Sequence, residues 1–238
     1  MTDNAPQSIS LTGKVVAVTG ASGALGRALI EELSVRDAKI LAITTNLTTI
    51  FPDGVTVLAW QLGSEAELLP HLQEVDILII NHGINVYGDR SFSAISKSFE
   101  VNTFSALRLA EIFFSTVADA KNRSTKELWV NTSEAEVNPA LSPLYELSKR
   151  TLGDSMTLLR LDAPCIVRKL ILGPFKSQLN PYGVMSAPWV ARAIIFLAQR
   201  DVRNIIVTIN PLTYLLFPIK EFCQSWYFKL FTKHGNIA

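Results

Sequence analysis

Short apolar runs alternating with helix-period segments predict an α/β chain: a doubly wound parallel sheet with helices on both faces, followed by a C-terminal amphipathic helix. Three observations carry this. Runs such as Lys14-Val-Val-Ala-Val-Thr19 are β-branched and do not alternate, as expected of strands buried on both faces. Segments between them carry apolar residues at helical spacing, as in 25–33. The length, 238 residues, suits a single domain of this class with its own core.

The same rules give the elements in order. Strands are predicted at 14–19, 39–44, 55–60, 76–80, 127–132, 165–172 and 204–209. Helices are predicted at 25–33, 65–72, 92–117, 143–161 and 187–199. Ser64 stands where an N-cap is expected for the second helix, and Pro188 sits in the first turn of the fifth, where its missing N–H is tolerated. Residues 1–210 then form the sheet domain and 211–238 a separate apolar tail. In such sheets ligands bind outside the carboxyl ends of the strands, so chemistry is expected just after Thr19, Thr44, Ile80, Thr132 and Leu172.

Composition narrows the function classes. With 22 basic and 21 acidic side chains the net charge is +1, which argues against nucleic acid as a partner. Two cysteines, Cys165 and Cys223, do not make a disulfide scaffold and suit a reducing, cytoplasmic compartment. Residues 1–10 are polar and lack an apolar h-region, so no signal peptide is expected. A mean hydropathy of +0.26 calls either for a buried parallel sheet or for some contact with a membrane.

The turn Thr19-Gly20-Ala21-Ser22-Gly23-Ala24-Leu25-Gly26 joins the first strand to the first helix. Glycines there let backbone approach a pyrophosphate, and the helix N-terminus offers free N–H groups, as in a Rossmann-like dinucleotide site. Tyr145 and Lys149 follow as Y-x-x-x-K, which puts a phenol and an ammonium on one helix face. An adjacent cation favours phenolate, which suits a general acid/base for an alcohol or ketone.

With these residues the sequence resembles the short-chain dehydrogenase/reductase (SDR) family, as a divergent member, over roughly residues 10–210. The family turn T-G-x-x-x-G-x-G is met at Gly20 and Gly26, with Ala24 in place of the middle glycine and Gly23 one residue early. Ile80-Asn81-His82-Gly83 stands where the family has N-N-A-G, and Val101-Asn102 matches its V-N. Leu172-Gly173-Pro174-Phe175-Lys176-Ser177 resembles P-G-x-x-x-T.

The resemblance implies an NAD(P)(H)-dependent oxidoreductase moving a hydride between nicotinamide and a ketone or secondary alcohol. Tyr145 is then the acid/base, and Lys149 tunes it and binds ribose. Ser133 holds the substrate oxygen, and Asn102 positions a water in the proton path. Either Ser133 or Glu134 aligns with the catalytic serine, with Ser133 preferred and Thr132 a substitute. The resemblance assigns Gly20, Ser22, Gly23, Leu25, Gly26, Thr44, Thr45, Leu62, Asn81, Gly83, Thr132, Tyr145, Lys149, Gly173, Pro174 and Ser177 to the cofactor. His82 is expected to make a local hydrogen bond rather than act as a base. Thr44-Thr45-Asn46 lacks the acid that holds an NAD ribose, which favours NADP over NAD, with Arg27 and Lys14 as cations that could reach a 2′-phosphate. No metal site is expected. The alternative is a non-catalytic nucleotide-binding protein acting as a membrane-associated sensor or scaffold. A nucleotide-sugar epimerase of the extended branch is disfavoured, because such enzymes usually carry a larger substrate domain.

In the tail, Ile219, Phe222, Cys223, Trp226, Tyr227, Leu230 and Phe231 recur at helical spacing, opposite Lys220, Glu221, Gln224, Lys229 and Lys233. Charges interrupt it too often for a spanning helix. Membrane-surface contact through 211–233, a lid over the site and an oligomer interface each fit this stripe. Contact with a membrane would point to a lipid-like small-molecule substrate and to peripheral binding at the cytoplasmic membrane face. The absence of a long insertion after Ser177 predicts a small pocket for which the tail supplies the lid. The resemblance also implies a homo-oligomer formed through the long helices around Phe104 and Leu152.

Overall fold

The computed structural model describes residues 10–118 and 126–233, so positions 1–9 of the polar N-terminal stretch lie outside the described residues. Seven strands are present: β1 (Val15–Thr19), β2 (Lys39–Thr44), β3 (Thr56–Ala59), β4 (Ile77–Ile80), β5 (Glu127–Asn131), β6 (Ile166–Leu172) and β7 (Asn204–Val207). They form one sheet in the order β3-β2-β1-β4-β5-β6-β7, and every pairing is parallel. Val16 of β1 lies between Ile40 of β2 and Ile77 of β4. The order reverses at β1 and β4, which opens a crevice beyond their carboxyl ends.

The helices are α1 (Ala24–Ser34), α2 (Leu69–Leu72), α3 (Phe92–Phe99), α4 (Ser105–Ala118), α5 (Pro143–Leu159), α6 (Ala187–Ala198) and α7 (Pro211–Phe231). Leu29 and Leu33 of α1 pack with Val190 and Ile194 of α6 on one face of the sheet. Phe113 and Phe114 of α4 pack with Leu152 and Met156 of α5 on the other. Both faces are thereby covered, which explains why the strand sequences do not alternate.

Four local expectations change. The segment 65–72 divides into a 3-10 turn, Glu65–Leu68, and the short α2, and Ser64 makes no side-chain cap. The long helix 92–117 is broken by a π turn, Glu100–Phe104, between α3 and α4. Leu152 is 1% exposed in the core, so it is not available to an oligomer interface, whereas Phe104 is exposed. The last helix starts at Pro211 rather than Ile219 and continues through Pro218.

That last continuity has a physical cause. Pro218 removes one ladder hydrogen bond, but residues on both sides of it are fixed to the body. Thr213 and Phe217 are buried before it and Glu221 after it. Lys169 of β6, fully buried, donates to Glu136 at 2.8 Å and to Glu221 at 2.9 Å. Lys220 reaches Glu136 at 2.7 Å and Asp154 at 2.6 Å, and Arg160 reaches Glu221 at 3.3 Å. Three cations thus meet three carboxylates, and each buried charge has an opposite partner. Burial works against the Lys220 charge, but Glu136 and Asp154 outweigh it and raise its pKa. A Cβ on Gly153 would overlap the Glu136 carboxylate, so only glycine lets that group lie against α5.

Candidate active site

A cleft of about 830 Å³ runs along the carboxyl ends of the strands at the reversal point. Of the residues assigned from sequence, all but Gly26 and Asn102 line it. Gly26 stands behind the turn, where a side chain would overlap the Gly20 carbonyl, so its part is to let α1 pack close to β1. Asn102 stands behind Gly83, which has its Oδ1 only 3.0 Å from where a Cβ would be.

At the β1 end, Gly20 has φ +61° and lies against the His82 backbone. Helix α1 begins at Gly23 with no side-chain cap, and Ala24 and Leu25 of its first turn face the cleft. An uncapped helix N-terminus on a cleft wall offers N–H groups and a positive dipole end to an anion. Ala24 fits this first turn without a positive φ, so the departure from the glycine pattern leaves the crossover intact. Thr44 Oγ1 donates to Ser22 Oγ at 3.0 Å, tying the end of β2 to the turn. Arg27 is exposed on α1 and does not line the cleft. Lys14 lies at the opposite, amino end of β1 and pairs with Asp76 at 3.4 Å, so it is removed as a phosphate contact. The chain therefore fits a dinucleotide: α1 and Gly20 suit the pyrophosphate, and Thr44 and Thr45 lie beyond them without a carboxylate.

After β4, Asn81 donates its backbone N–H to Thr19 Oγ1 at 2.9 Å and accepts from Asn131 Nδ2 at 3.0 Å. His82 Nδ1 lies 2.9 Å from Thr19 Oγ1, and its ring meets Trp60 edge-on. Burial, then the charge of Lys149, pushes its pKa down to about 3, so the ring is neutral and serves as a local hydrogen-bonding group.

The candidate acid/base residues come from α5 and the segment just after β5. Tyr145 and Ser133 both line the cleft, and Ser133 lies near enough to act on the phenol. Ser133 is held by its own Oγ accepting from Ala135 N at 3.1 Å. Glu134 points elsewhere, with Oε2 accepting from Thr208 at 2.6 Å and Thr213 at 3.1 Å. Thr132 Oγ1 donates to the Leu170 carbonyl at 3.3 Å and so is turned back into the sheet.

Lys149 Nζ donates to the Asn131 carbonyl at 2.9 Å, and burial lowers its pKa to about 8. The phenol differs from expectation: burial raises the Tyr145 pKa, and only Ser133 opposes that. The nearby ammonium, itself destabilised by burial, does not offset the loss of solvent around the phenol.

Asn102 occupies the π turn, a feature often found at functional sites. Its Nδ2 donates to the Ile84 carbonyl at 3.0 Å and to Ser148 Oγ at 2.9 Å, and its Oδ1 accepts from Ile84 N at 2.8 Å. The side chain thus fastens the loop after β4 to α5 and sets where Lys149 and Tyr145 stand.

The other wall of the cleft is made by residues the sequence did not single out. Tyr87 Oη donates to the Gln178 carbonyl at 2.9 Å, and Asn85 Nδ2 to the Leu179 carbonyl at 3.2 Å. Ser142 Oγ donates to Asn85 Oδ1 at 2.7 Å. Three loops are thereby tied together over the cleft, and α7 is absent from its walls. The loop after β6, not the tail, is the cover. Gly173 and Pro174 begin that loop, and Ser177 Oγ accepts from Asn180 N at 3.2 Å. Trp60 was within reach of the rule that ligands lie beyond strand ends, since it follows β3 directly. The Tyr87 and 178–182 contacts join segments about ninety residues apart, and no local pattern signals them.

The strand order and its parallel pairings give the chain the fold of the short-chain dehydrogenases. No protein-family model matches it. A monoglucosyldiacylglycerol epimerase from Synechocystis sp. is 57% identical over 231 residues, 94% of this chain and 56% of that protein. The chain therefore spans about half the length of this curated relative. Among solved structures, a short-chain dehydrogenase from Burkholderia cenocepacia in complex with NADP superposes with a TM-score of 0.75 at 17% identity, covering 94% of this chain and 100% of that one. A ligand-free aldohexose dehydrogenase from Thermoplasma acidophilum gives 0.67 at 16% identity, covering 83% and 93%.

Proposed function

We infer that the chain is an NADP(H)-dependent enzyme acting on a secondary alcohol of a glycolipid sugar, and that it epimerises that carbon through a transient ketone. The observation that carries this reading is 57% identity to a glucolipid epimerase across 94% of the chain. The cleft supports it with a phenol, Tyr145, and a hydroxyl, Ser133, on the wall that also carries an uncapped helix N-terminus. The NADP reading is supported by the missing carboxylate at Thr44 and Thr45 and by the fold-mate that binds NADP.

The roles follow from position. Gly20, Gly23 and the first turn of α1 hold the pyrophosphate, and Lys149, Gly173, Pro174 and Ser177 lie towards the nicotinamide end. The nicotinamide, when bound, exchanges a hydride with the carbinol carbon. Ser133 holds the hydroxyl oxygen, and Tyr145 takes its proton as the ketone forms and returns it as the alcohol re-forms. Lys149 holds the ribose and keeps positive charge near the phenol. Epimerisation would need the sugar to present both faces of that carbon in turn, and the loops joined by Tyr87 and Asn85 would cover it in either orientation.

The test is incubation of the 238-residue chain with NADP⁺ and detergent-dispersed monoglucosyldiacylglycerol deuterated at the sugar carbinol carbons. The expected result is an epimeric hexose that keeps its deuterium, with no net NADPH. Stoichiometric NADPH and a keto sugar would instead establish a simple dehydrogenase. Neither product, from folded protein, would leave the sensor or scaffold reading. Tyr145→Phe is expected to lower turnover at least about 100-fold, the low end for general acid/base catalysis, while sparing NADPH binding.

A further inference from the structure

Helix α7 is docked the wrong way round for a helix on a globular body. Its inward face carries one fully buried apolar anchor, Phe217, with Thr213, Lys220 and Glu221 joined to the body by hydrogen bonds and ion pairs. Its outward face carries Leu215, Ile219, Phe222, Trp226 and Leu230, all exposed, with Phe222 at 71% and Trp226 at 62%. Phe222 and Trp226 head this stripe, and Tyr227 and Phe231 are exposed further round the same helix. No helix of the described residues is long and apolar enough to cross a membrane.

We propose that this outward face of α7 lies flat in the interfacial region of an anionic lipid bilayer and seats the cleft at the membrane surface. The argument for lipid as the occupant is chemical. The sole carboxylate of α7, Glu221, is turned inward and paired, whereas Lys229 and Lys233 are exposed beside the apolar stripe. A stripe of Leu, Phe and Trp with cations beside it and no exposed anion complements acyl chains under negatively charged headgroups. Trp226 and Tyr227 are the residue types that settle at that depth.

The placement also suits the site. Thr213, in the first turn of α7, donates to Glu134 on the cleft wall and accepts from Asn138 Nδ2 at 2.8 Å. Residues 139–141 follow on the cleft wall, ending in Leu141, which is 97% exposed. A bilayer on α7 therefore lies next to the mouth through which a lipid headgroup would enter. This rests on the glycolipid reading for its purpose, though the contact itself does not depend on it.

Cys223 on α7 is exposed, while Cys165 is half-buried with its thiol pushed up to about 12 by burial. An environment-sensitive thiol dye will therefore label Cys223 selectively at neutral pH. The labelled 238-residue chain is mixed with vesicles of phosphatidylcholine, with or without phosphatidylglycerol, and floated on a density gradient. Co-flotation with a blue-shifted dye is expected, about tenfold tighter on the anionic vesicles. The triple variant Leu215→Ser, Phe222→Ser, Trp226→Ser should lose flotation yet keep its Tm and NADPH binding, since those side chains are exposed.

No flotation by the unchanged chain overturns the proposal. So does a sedimentation dimer that the triple variant converts to monomer, because the face then belongs to a second copy. Turnover of detergent-dispersed glycolipid without flotation would sink the docking alone. Flotation without turnover would sink the enzyme reading alone.

Discussion

Gly20 is the residue on which the phosphate end of the cleft depends. Its φ is +61°, and a Cβ would sit 2.8 Å from the His82 Cα. Both the dihedral and the contact therefore exclude a side chain. Gly20→Ala is expected to cost about 1–3 kcal/mol and to weaken NADPH binding more than tenfold, measured by urea unfolding and calorimetry. An unchanged unfolding midpoint would show that the turn relaxes freely.

Lys149 makes a second prediction, in pH. Its pKa is about 8 in the fold against 10.5 in an exposed chain, so the unfolded state binds more protons between those values. Stability therefore rises as pH climbs from 8 to 10.5, by about 3 kcal/mol at most, and the burial penalty is fully present below pH 8. Lys149→Met should remove that rise, which urea titrations at pH 7.5 and pH 9.5 would detect. The Ser133 and Glu134 pair shows what a sequence leaves open at this scale. Both residues reach the cleft wall just after β5, and only their hydrogen-bond partners tell them apart. The partners that hold Glu134 aside, Thr208 and Thr213, lie more than seventy residues further on.

Among the elements, α7 was legible as an amphipathic helix, but its orientation was not. Periodicity gives two faces and assumes that the apolar one is inside. Here the buried charges Lys169 and Glu136 reverse the preference, because a charge left unpaired in the core costs more than an exposed apolar stripe. Neither is conspicuous in the sequence: Lys169 sits inside an apolar strand and Glu136 in a short 3-10 turn after β5. Glu221→Ala removes the α7 carboxylate from Lys169, Arg160 and Thr157. The expected loss is about 3–5 kcal/mol, which at about 2–4 °C per kcal/mol lowers Tm by roughly 6–20 °C. A loss under about 1 kcal/mol would show that Glu136 alone satisfies Lys169. Asn102 was legible as a buried amide needing partners. That those partners are the Ile84 backbone and Ser148 followed only from the π turn, which no residue pattern announces.

For the molecule as a whole, strand sequence and spacing sufficed for the doubly wound class, because covering both faces of a parallel sheet demands unbroken apolar strands. The strand-end wall of the cleft was legible for the same reason: strand ends and the turn after β1 are local features. The other wall was not, since Tyr87, Asn85 and Ser142 act through partners brought together only by folding. This division yields the last prediction. The cleft is walled by loops from both halves of the sheet, so a dinucleotide spanning it ties β1–β3 to β4–β7 and stabilises the whole chain. NADPH at about 100 times its Kd should add about 2.7 kcal/mol, raising Tm by roughly 5–10 °C. NADH should need a higher concentration for the same shift, because no carboxylate at Thr44, Thr45 or Asn46 takes the free ribose hydroxyl. The Thr45→Asp variant should reverse that order, since its carboxylate accepts from the NADH ribose and repels a 2′-phosphate. Paired thermal-shift titrations of both proteins would settle the point: NADH binding more tightly than NADPH to the unchanged chain would overturn the cofactor assignment, and no shift with either would remove the cofactor altogether.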